Sequence, residues 1–399
     1  MNFLRRRHAP RDEDSPGAED LDPQIHKSRK PPNTAFRQQR LKAWQPILTP
    51  KTVIPLLFLV AAVFAPLGIA LVYGTYNVQN LVVDYTHCGS LAGAEYAPVP
   101  AKYTAWHFRR HNTDPGLQWR VQNATDADGD AVQTCVLQFD LPRALDAPVY
   151  LYYKLTNFYQ NHRLYVASYD TAQLGGAAVT AGALTLDCDP LRTRDGKPVY
   201  PCGLVANSLF NDTFGSPVLL NAQSGSDNET YELSLAGISW ASDRAHKFKK
   251  TAYSADDVVP PPNWMKRFPD GYTLANMPDL AEWEHLQNWM RTAGLPTFYK
   301  LYAKNTTTAF ASGTYEMEIG LNYPVSVYGG TKSVVLTTNS VLGGRNMTLG
   351  IVYLIVAAVC LLCAVAFFLQ HLIKPRRIGD HHFLQAAADA PGSAARDQL

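Results

Sequence analysis

The chain has 399 residues, 46% of them hydrophobic, and a formal net charge of +2 at pH 7. That is enough apolar material for a sizeable core and excludes wholesale disorder. The near balance of charge gives no reason to expect a nucleic-acid partner.

Residues 1–32 read as a disordered tail in which Arg and Lys are diluted by one acidic cluster, Asp12 to Asp22. A more particular juxtamembrane segment follows over 33–51, beginning NTAFRQQRLKAWQPILTP. Drawn as a helix, it places Phe36, Arg37, Arg40, Leu41 and Trp44 on one arc and Gln38, Lys42 and Gln45 opposite. Aromatics and arginines on one arc suit the lipid headgroup level, or a groove on a partner. Pro46 and Pro50 then turn the chain into the membrane.

Residues 52–75 and 348–372 are apolar and long enough to cross a bilayer, which takes about 20 residues. Pro55 falls in the first turn of the first span, and Pro66 lies inside it and is expected to kink it. Small residues in AAVFAPLGIA and GIVYLIVAAV allow close helix approach. The first apolar run starts about fifty residues in, which argues against a cleavable signal peptide. Arg37, Arg40, Lys42 and Lys51 precede that span, whereas Lys374, Arg376 and Arg377 follow the second. By the positive-inside rule both termini, including the tail 373–399, are cytosolic, and 76–347 is a lumenal or extracellular domain.

Cysteine and asparagine usage bear on the same topology. Cys88, Cys135, Cys188 and Cys202 all fall between the spans and suggest two disulfides, with three pairings open. The sequential pairing, Cys88 with Cys135 and Cys188 with Cys202, closes the shortest loops. Cys360 and Cys363 lie inside the second span and read as small apolar fillers. Glycosylation sequons stand at Asn123, Asn211, Asn228 and Asn305, with one more at Asn346 against the second span, where modification is not expected.

The ectodomain reads as β-rich. TYEMEIGLNY alternates Tyr315, Met317, Ile319, Leu321 and Tyr323 against polar neighbours, and PVYLYYKLT alternates in the same way. One helix is expected where Leu280, Trp283, Leu286 and Met290 share a face, between Pro278 and Gly294. The fold class is therefore an integral membrane protein: two transmembrane helices flanking a disulfide-bonded α+β ectodomain, mainly antiparallel sheet.

No stretch carries catalytic or metal chemistry. DADGD at 126–130 lacks the glycine and glutamate that complete a calcium loop, having Ala131 and Leu137 instead. GGTKS at 329–333 lacks phosphate-loop spacing, and GISWA at 237–241 lacks the last glycine of a nucleophile elbow. His162 in QNHRLY has no nucleophile or carboxylate partner in evidence and reads as a structural histidine held among strands. No cofactor or metal is expected.

Several unusual strings remain: the segment from Asn33, then YYKLTNFYQNHRLYVAS at 152–168 and ISWASDRAHKF at 238–248. NWMRTAGLPTFYKLY at 288–302, YPVSVYGGTKS at 323–333 and LGGRNMTLGIVYLIV at 342–356 complete the set. In order and content the chain from Asn33 to about Asp380 resembles the accessory (beta) subunits of type IV P-type ATPases, the phospholipid flippases. The resemblance implies a non-catalytic subunit paired with a catalytic ATPase that moves membrane phospholipids. It further implies a role in that ATPase's exit from the endoplasmic reticulum to Golgi, endosome or plasma membrane. It favours Phe36, Arg37, Arg40 and Trp44 as partner-binding residues. The alternative is a stand-alone lumenal receptor or glycan-binding membrane protein.

Overall fold

The computed structural model describes residues 33–42, 48–109, 113–125, 131–220, 228–340 and 343–375. DADGD and Trp44 fall outside them. The chain divides into two units, one of Met1–Val53 with Arg376–Leu399, the other of Ile54–Pro375.

Two long apolar helices, Pro50–Tyr76 and Thr348–Ile373, bound the ectodomain and are long enough to span a membrane. The first continues through both Pro55 and Pro66. Their buried residues recur at sevens: Ile54, Ala61, Gly68 and Thr75 on the first, Gly350, Ala357 and Ala364 on the second. A seven-residue repeat keeps one seam of a helix facing its partner. Phe64 packs on Tyr353 with ring centroids 4.9 Å apart. Further along, Gly68 meets Leu354 and Val72 meets Gly350, so the helices run antiparallel.

A Cβ on Gly350 would stand 2.7 Å from Val72 Cγ2 and 2.9 Å from Val72 N, and one on Gly68 would stand 2.9 Å from Leu354. Glycine at the crossing is what lets the backbones approach, as dispersion packing in lipid requires. The hydroxyl of buried Thr75 donates to the carbonyls of Leu71 and Val72, so the seam holds no unpaired hydroxyl there.

The ectodomain core is a sandwich of antiparallel sheets. The first sheet orders Phe298–Asn305, Val149–Leu155, Lys332–Thr338, Asn80–Asp84 and Thr104–His107. The second is built on Gly313–Gly320, Ala131–Leu141 and Gln118–Thr125, extended by two-residue strands. Leu81, Val83, Leu151, Val334 and Leu336 of the first sheet face Leu137, Phe139 and Met317 of the second across a void of about 10 Å³. A void that size holds at most one water, so the interface is packed like a crystal rather than an oil.

The alternating segments take the strand form that their period of two requires. Val149, Leu151, Tyr153 and Leu155 are buried, as are Tyr315, Met317 and Ile319. The second strand stops at Gly320, before Leu321 and Tyr323, because the amides of Asn322 and Tyr323 donate to Asp212 Oδ1 instead of to a ladder. The expected helix is also shorter than its apolar spacing. Leu280, Leu286 and Met290 are buried, yet the helix covers only Glu284–Met290. Asp279 accepts the amide of Ala281 in a local turn, which competes with helix at the start of the pattern.

A third layer, drawn from residues 156–297, covers the sandwich with short helices and loops. It is pinned by polar tips of aromatic side chains. The Trp289 and Trp264 indoles donate to the carbonyls of Val205 and Ala206 at 2.8 and 3.0 Å, and the Tyr272 hydroxyl donates to the Tyr200 carbonyl at 2.6 Å. Gly203, at φ +96°, lies so close to the Ser168 carbonyl that any Cβ would clash.

Candidate functional site

In the N-terminal unit the helical arc is not formed. Gln38 donates its amide to Thr34 and Arg40 to Ala35, but Gln39 sits at φ +54° and closes the turn after a single revolution. A left-handed residue with such a backbone bond is how helices end, so Arg40 and Leu41 do not extend a face begun at Phe36. Phe36 is 76% exposed, Arg37 is exposed, and the Arg40 guanidinium donates to the Asn33 side chain.

Cys88 is bonded to Cys135 and Cys188 to Cys202, all buried; Cys360 and Cys363 are free. The first bridge ties the loop after Asn80–Asp84 to the second sheet. The second closes a small separate core with Leu184 and Val199. Among the sequons, Asn123, Asn211 and Asn228 are exposed. Asn305 is half-buried: its amide donates to the Glu232 carbonyl at 2.8 Å while its oxygen accepts from Thr307 and Thr308. Asn346 is exposed, and its side chain accepts the amide of Thr348 at the second helix's start.

Sequence spacing did not single out the polar centre of the domain. Asp212 and Lys332 pair at 2.7 Å, with side chains 0% and 7% exposed. The Tyr85 hydroxyl donates to Asp212 at 2.9 Å, and Lys332 donates to the Tyr323 carbonyl at 2.9 Å. Burial, then the Asp212 charge, pushes the Tyr85 hydroxyl well above its usual range, so it is a fixed donor. Lys332 is the lysine of GGTKS, and its direction into the core removes what remained of the phosphate-loop likeness.

A second polar centre lies under ISWASDRAHKF. Glu284 accepts the amides of Gly237 and Ser239 at 2.8 and 2.9 Å and the Arg244 guanidinium at 3.0 Å. Burial works to raise its pKa, but those bonds and the Arg244 charge outweigh it and hold the carboxyl below its usual range. Next to it, burial lowers His285 to about 4, with Glu284 opposing and Arg267 adding to the fall. Buried Lys300 donates to the carbonyls of Asn288 and Arg291 at the end of the Glu284–Met290 helix; burial, then Arg291, lowers it to about 8. Glu284 and Lys300 are spent on backbone atoms and Arg244, the His285 Nε2 is buried without a hydrogen-bond partner among the described residues, and none of them is poised beside a nucleophile.

His162 differs from its expected setting. It is exposed, in the turn that opens the short helix Arg163–Ala167, rather than held among strands. Among the described residues no group of three or more His, Cys, Asp or Glu could hold a metal ion.

Three of the six strings singled out in the sequence converge on one place. Thr156 bonds Thr331 at 2.8 Å, Asn157 donates to Tyr328, Phe158 donates its amide to Pro296, and Asn161 donates to Gly294. The Phe158 ring packs against Tyr165, Trp289, Phe298 and Tyr328, with centroids 5.1–6.3 Å apart. Gln160, fully buried, accepts the amide of Ala293 at 2.8 Å. Segments 152–168, 288–302 and 323–333 therefore form one aromatic junction at the end of the first sheet.

Two membrane helices joined by a disulfide-stapled sandwich, with the charges of both polar centres committed to structure, define a membrane protein with a rigid ectodomain. The chain belongs to the LEM3 (ligand-effect modulator 3) family / CDC50 family, whose profile matches residues 71–377. It is 51% identical to the "Phospholipid-transporting ATPase accessory subunit CRF1" of Saccharomyces cerevisiae, over 90% of this chain and 89% of that one. It is 42% identical to the "Phospholipid-transporting ATPase accessory subunit CDC50" of Chaetomium thermophilum, over 97% and 98%. To the human "Cell cycle control protein 50B" it is 35% identical, over 86% and 94%.

Proposed function

We propose that this chain is the non-catalytic accessory subunit of a phospholipid-transporting P-type ATPase, with which it forms a heterodimer. The observation that carries this reading is 51% identity along 90% of the chain to a subunit of that name. The physics agrees with it. A transporter cycling between conformations is held in whichever state a rigid partner binds more tightly. An ectodomain fixed by two disulfides and two polar centres suits that task. Two helices sealed to each other by a glycine crossing can sit beside the transporter without lining its path.

On this reading 1–32 and 373–399 are cytosolic tails, 33–51 lies along the cytosolic surface, and 76–347 is lumenal or extracellular. The spans are 52–75 and 348–372. Asn123, Asn211, Asn228 and Asn305 carry glycans. The subunit accompanies its ATPase from the endoplasmic reticulum to Golgi, endosome or plasma membrane. Segment 33–51 touches the ATPase through Phe36, Arg37, Arg40 and Trp44, so the subunit grips from both sides of the membrane.

Purification in mild detergent tests the assignment. A stoichiometric ATPase should accompany the chain, and lipid transport should need both. Recovery of the chain alone, with an activity of its own, would overturn it. For the cytosolic grip, Phe36→Ala with Trp44→Ala should lower lipid transport while leaving insertion and glycosylation intact. Full transport with a scrambled segment of the same composition would reduce that stretch to an anchor.

A further inference from the structure

The first sheet has a membrane end and a far end. The first long helix feeds Asn80 and the chain leaves Thr338 for the second, whereas Leu155 pairs with Lys332 and Phe298 at the opposite end, roughly 15 Å away along the strands. Beside that far end, the segments after Leu155 and before Phe298 enclose an open pocket of about 270 Å³ together with the helix Ala241–His246 and its following turn. Val166, Tyr169 and Met290 supply apolar wall; Asp243, Lys247, Arg291 and Thr292 supply the polar atoms.

The pocket's cations are not fully spent. Arg291 gives two N–H groups to Asp243, at 3.0 and 3.2 Å, and stacks on the exposed Trp240 ring at 4.2 Å. A guanidinium has five N–H donors, so the others remain for a ligand. The Lys247 ammonium stands 4.7 Å over the Tyr169 ring and 5.6 Å over Phe248, with no oxygen acceptor among the described residues. Its half-buried position lowers its pKa, first through burial and then through Arg291, with Asp243 opposing. Lys247 and Arg291 against Asp243 leave one net positive charge, which a monoanion neutralises. Lys249 and Lys250 stand exposed just beyond, as do Leu164 and Trp240.

We propose that this pocket receives a carboxylate side chain from an acidic peptide segment with apolar neighbours, presented by another protein on the ectodomain's side of the membrane. The carboxylate accepts from Lys247 and from the free edge of Arg291, and the neighbours lie on the exposed Val166 and Trp240. Position favours a protein over lipid, because the pocket is built on segments that leave the first sheet at the end opposite to where the chain enters the bilayer. The inference is independent of the ATPase assignment and stands or falls without it.

The test uses the full-length chain in detergent and a fluorescein-labelled peptide, Ala-Leu-Glu-Leu-Ala, read by anisotropy against its Gln counterpart. The Glu peptide should bind saturably and the Gln peptide about tenfold more weakly, as loss of a charge-assisted hydrogen bond implies. Lys247→Met should weaken the Glu peptide by about the same factor while leaving thermal stability no lower, since it removes a half-buried charge and keeps the packing. Lys247→Arg should retain binding, and Asp243→Asn, which raises the pocket's charge, should tighten it. Equal binding of the two peptides overturns the proposal. So does binding of inorganic phosphate or phosphatidylserine vesicles alone, with no response to either peptide.

Discussion

The carboxylate of Asp212 lies 2.7 Å from the ammonium of Lys332, across 120 residues of chain, in a site closed to water. Asp212 is the middle residue of the sequon Asn211–Thr213, and Lys332 begins the central strand of the first sheet. The pair joins the third layer to the sandwich, and Asp212 also ends a strand of the second sheet by taking the amides of Asn322 and Tyr323. Two charges taken out of water are tolerated here because both Asp212 oxygens accept further hydrogen bonds, from Tyr85 and two amides, and Lys332 also donates to the Tyr323 carbonyl and lies 5.3 Å over the Tyr85 ring.

Breaking that pair from one side should be costly. Lys332→Met leaves a buried, unpaired carboxylate and should destabilise the ectodomain by about 3–5 kcal/mol. Asp212→Ala also orphans two amides and the Tyr85 hydroxyl, so its cost should be at least as large. The double variant should be less destabilised than the sum of the two. Thermal unfolding of the full-length protein checks this, and simple additivity would show that the two residues act separately.

The helix crossing gives a second prediction. Gly350→Leu and Gly68→Leu should each force the membrane helices apart at a cost of about 1–3 kcal/mol, the usual range for overpacking. Cysteines placed at Phe64 and Tyr353, whose rings now touch, should cross-link readily in the parent once Cys360 and Cys363 are replaced. In the glycine variants cross-linking should fall while the ectodomain disulfides persist. Unchanged cross-linking would mean the seam does not depend on glycine.

The disulfides should contribute unequally. In the chain-entropy picture, closing the 14-residue separation of Cys188–Cys202 contributes about 3 kcal/mol and the 47-residue separation of Cys88–Cys135 about 4. Replacing Cys88 and Cys135 should therefore lower both melting temperature and recovery more than replacing Cys188 and Cys202. The reverse order would assign the second bridge a role beyond loop closure, in holding the small core around Leu184 and Val199.

His285 sets an acid limit. Its folded pKa of about 4 lies below the ordinary value of 6.5, so between those values the unfolded chain binds the proton more readily. Stability is full above pH 6.5 and declines as pH falls toward 4, by on the order of 3 kcal/mol. His285→Phe keeps the ring contact with Tyr302 and removes the proton site, so its stability should vary less over that window. If parent and variant show the same pH slope, the histidine is not the group responsible.

Sequence by itself determined the plan of this protein. Two long uncharged runs read as membrane helices, because length and polarity decide where a backbone can be buried in lipid. Strands such as Val149–Leu155 were legible because a period of two places one side of a strand in the core. The family strings were legible too, as strings. Tertiary structure alone decided what they are for: segments separated by more than a hundred residues meet around Phe158, and ring contact has no signature in linear spacing. It decided that Lys332 points inward to Asp212, since an ion pair between distant loops leaves no local pattern. It decided also where local patterns lose. The helix expected from Leu280 begins only at Glu284, and the arc drawn from Phe36 ends at Gln39, because a side-chain bond or one left-handed residue redirects a backbone whatever its apolar period. Periodicity reports which faces are buried; the competition for backbone amides, settled by a neighbouring carboxylate at Asp279 and a distant one at Asp212, reports where the elements stop.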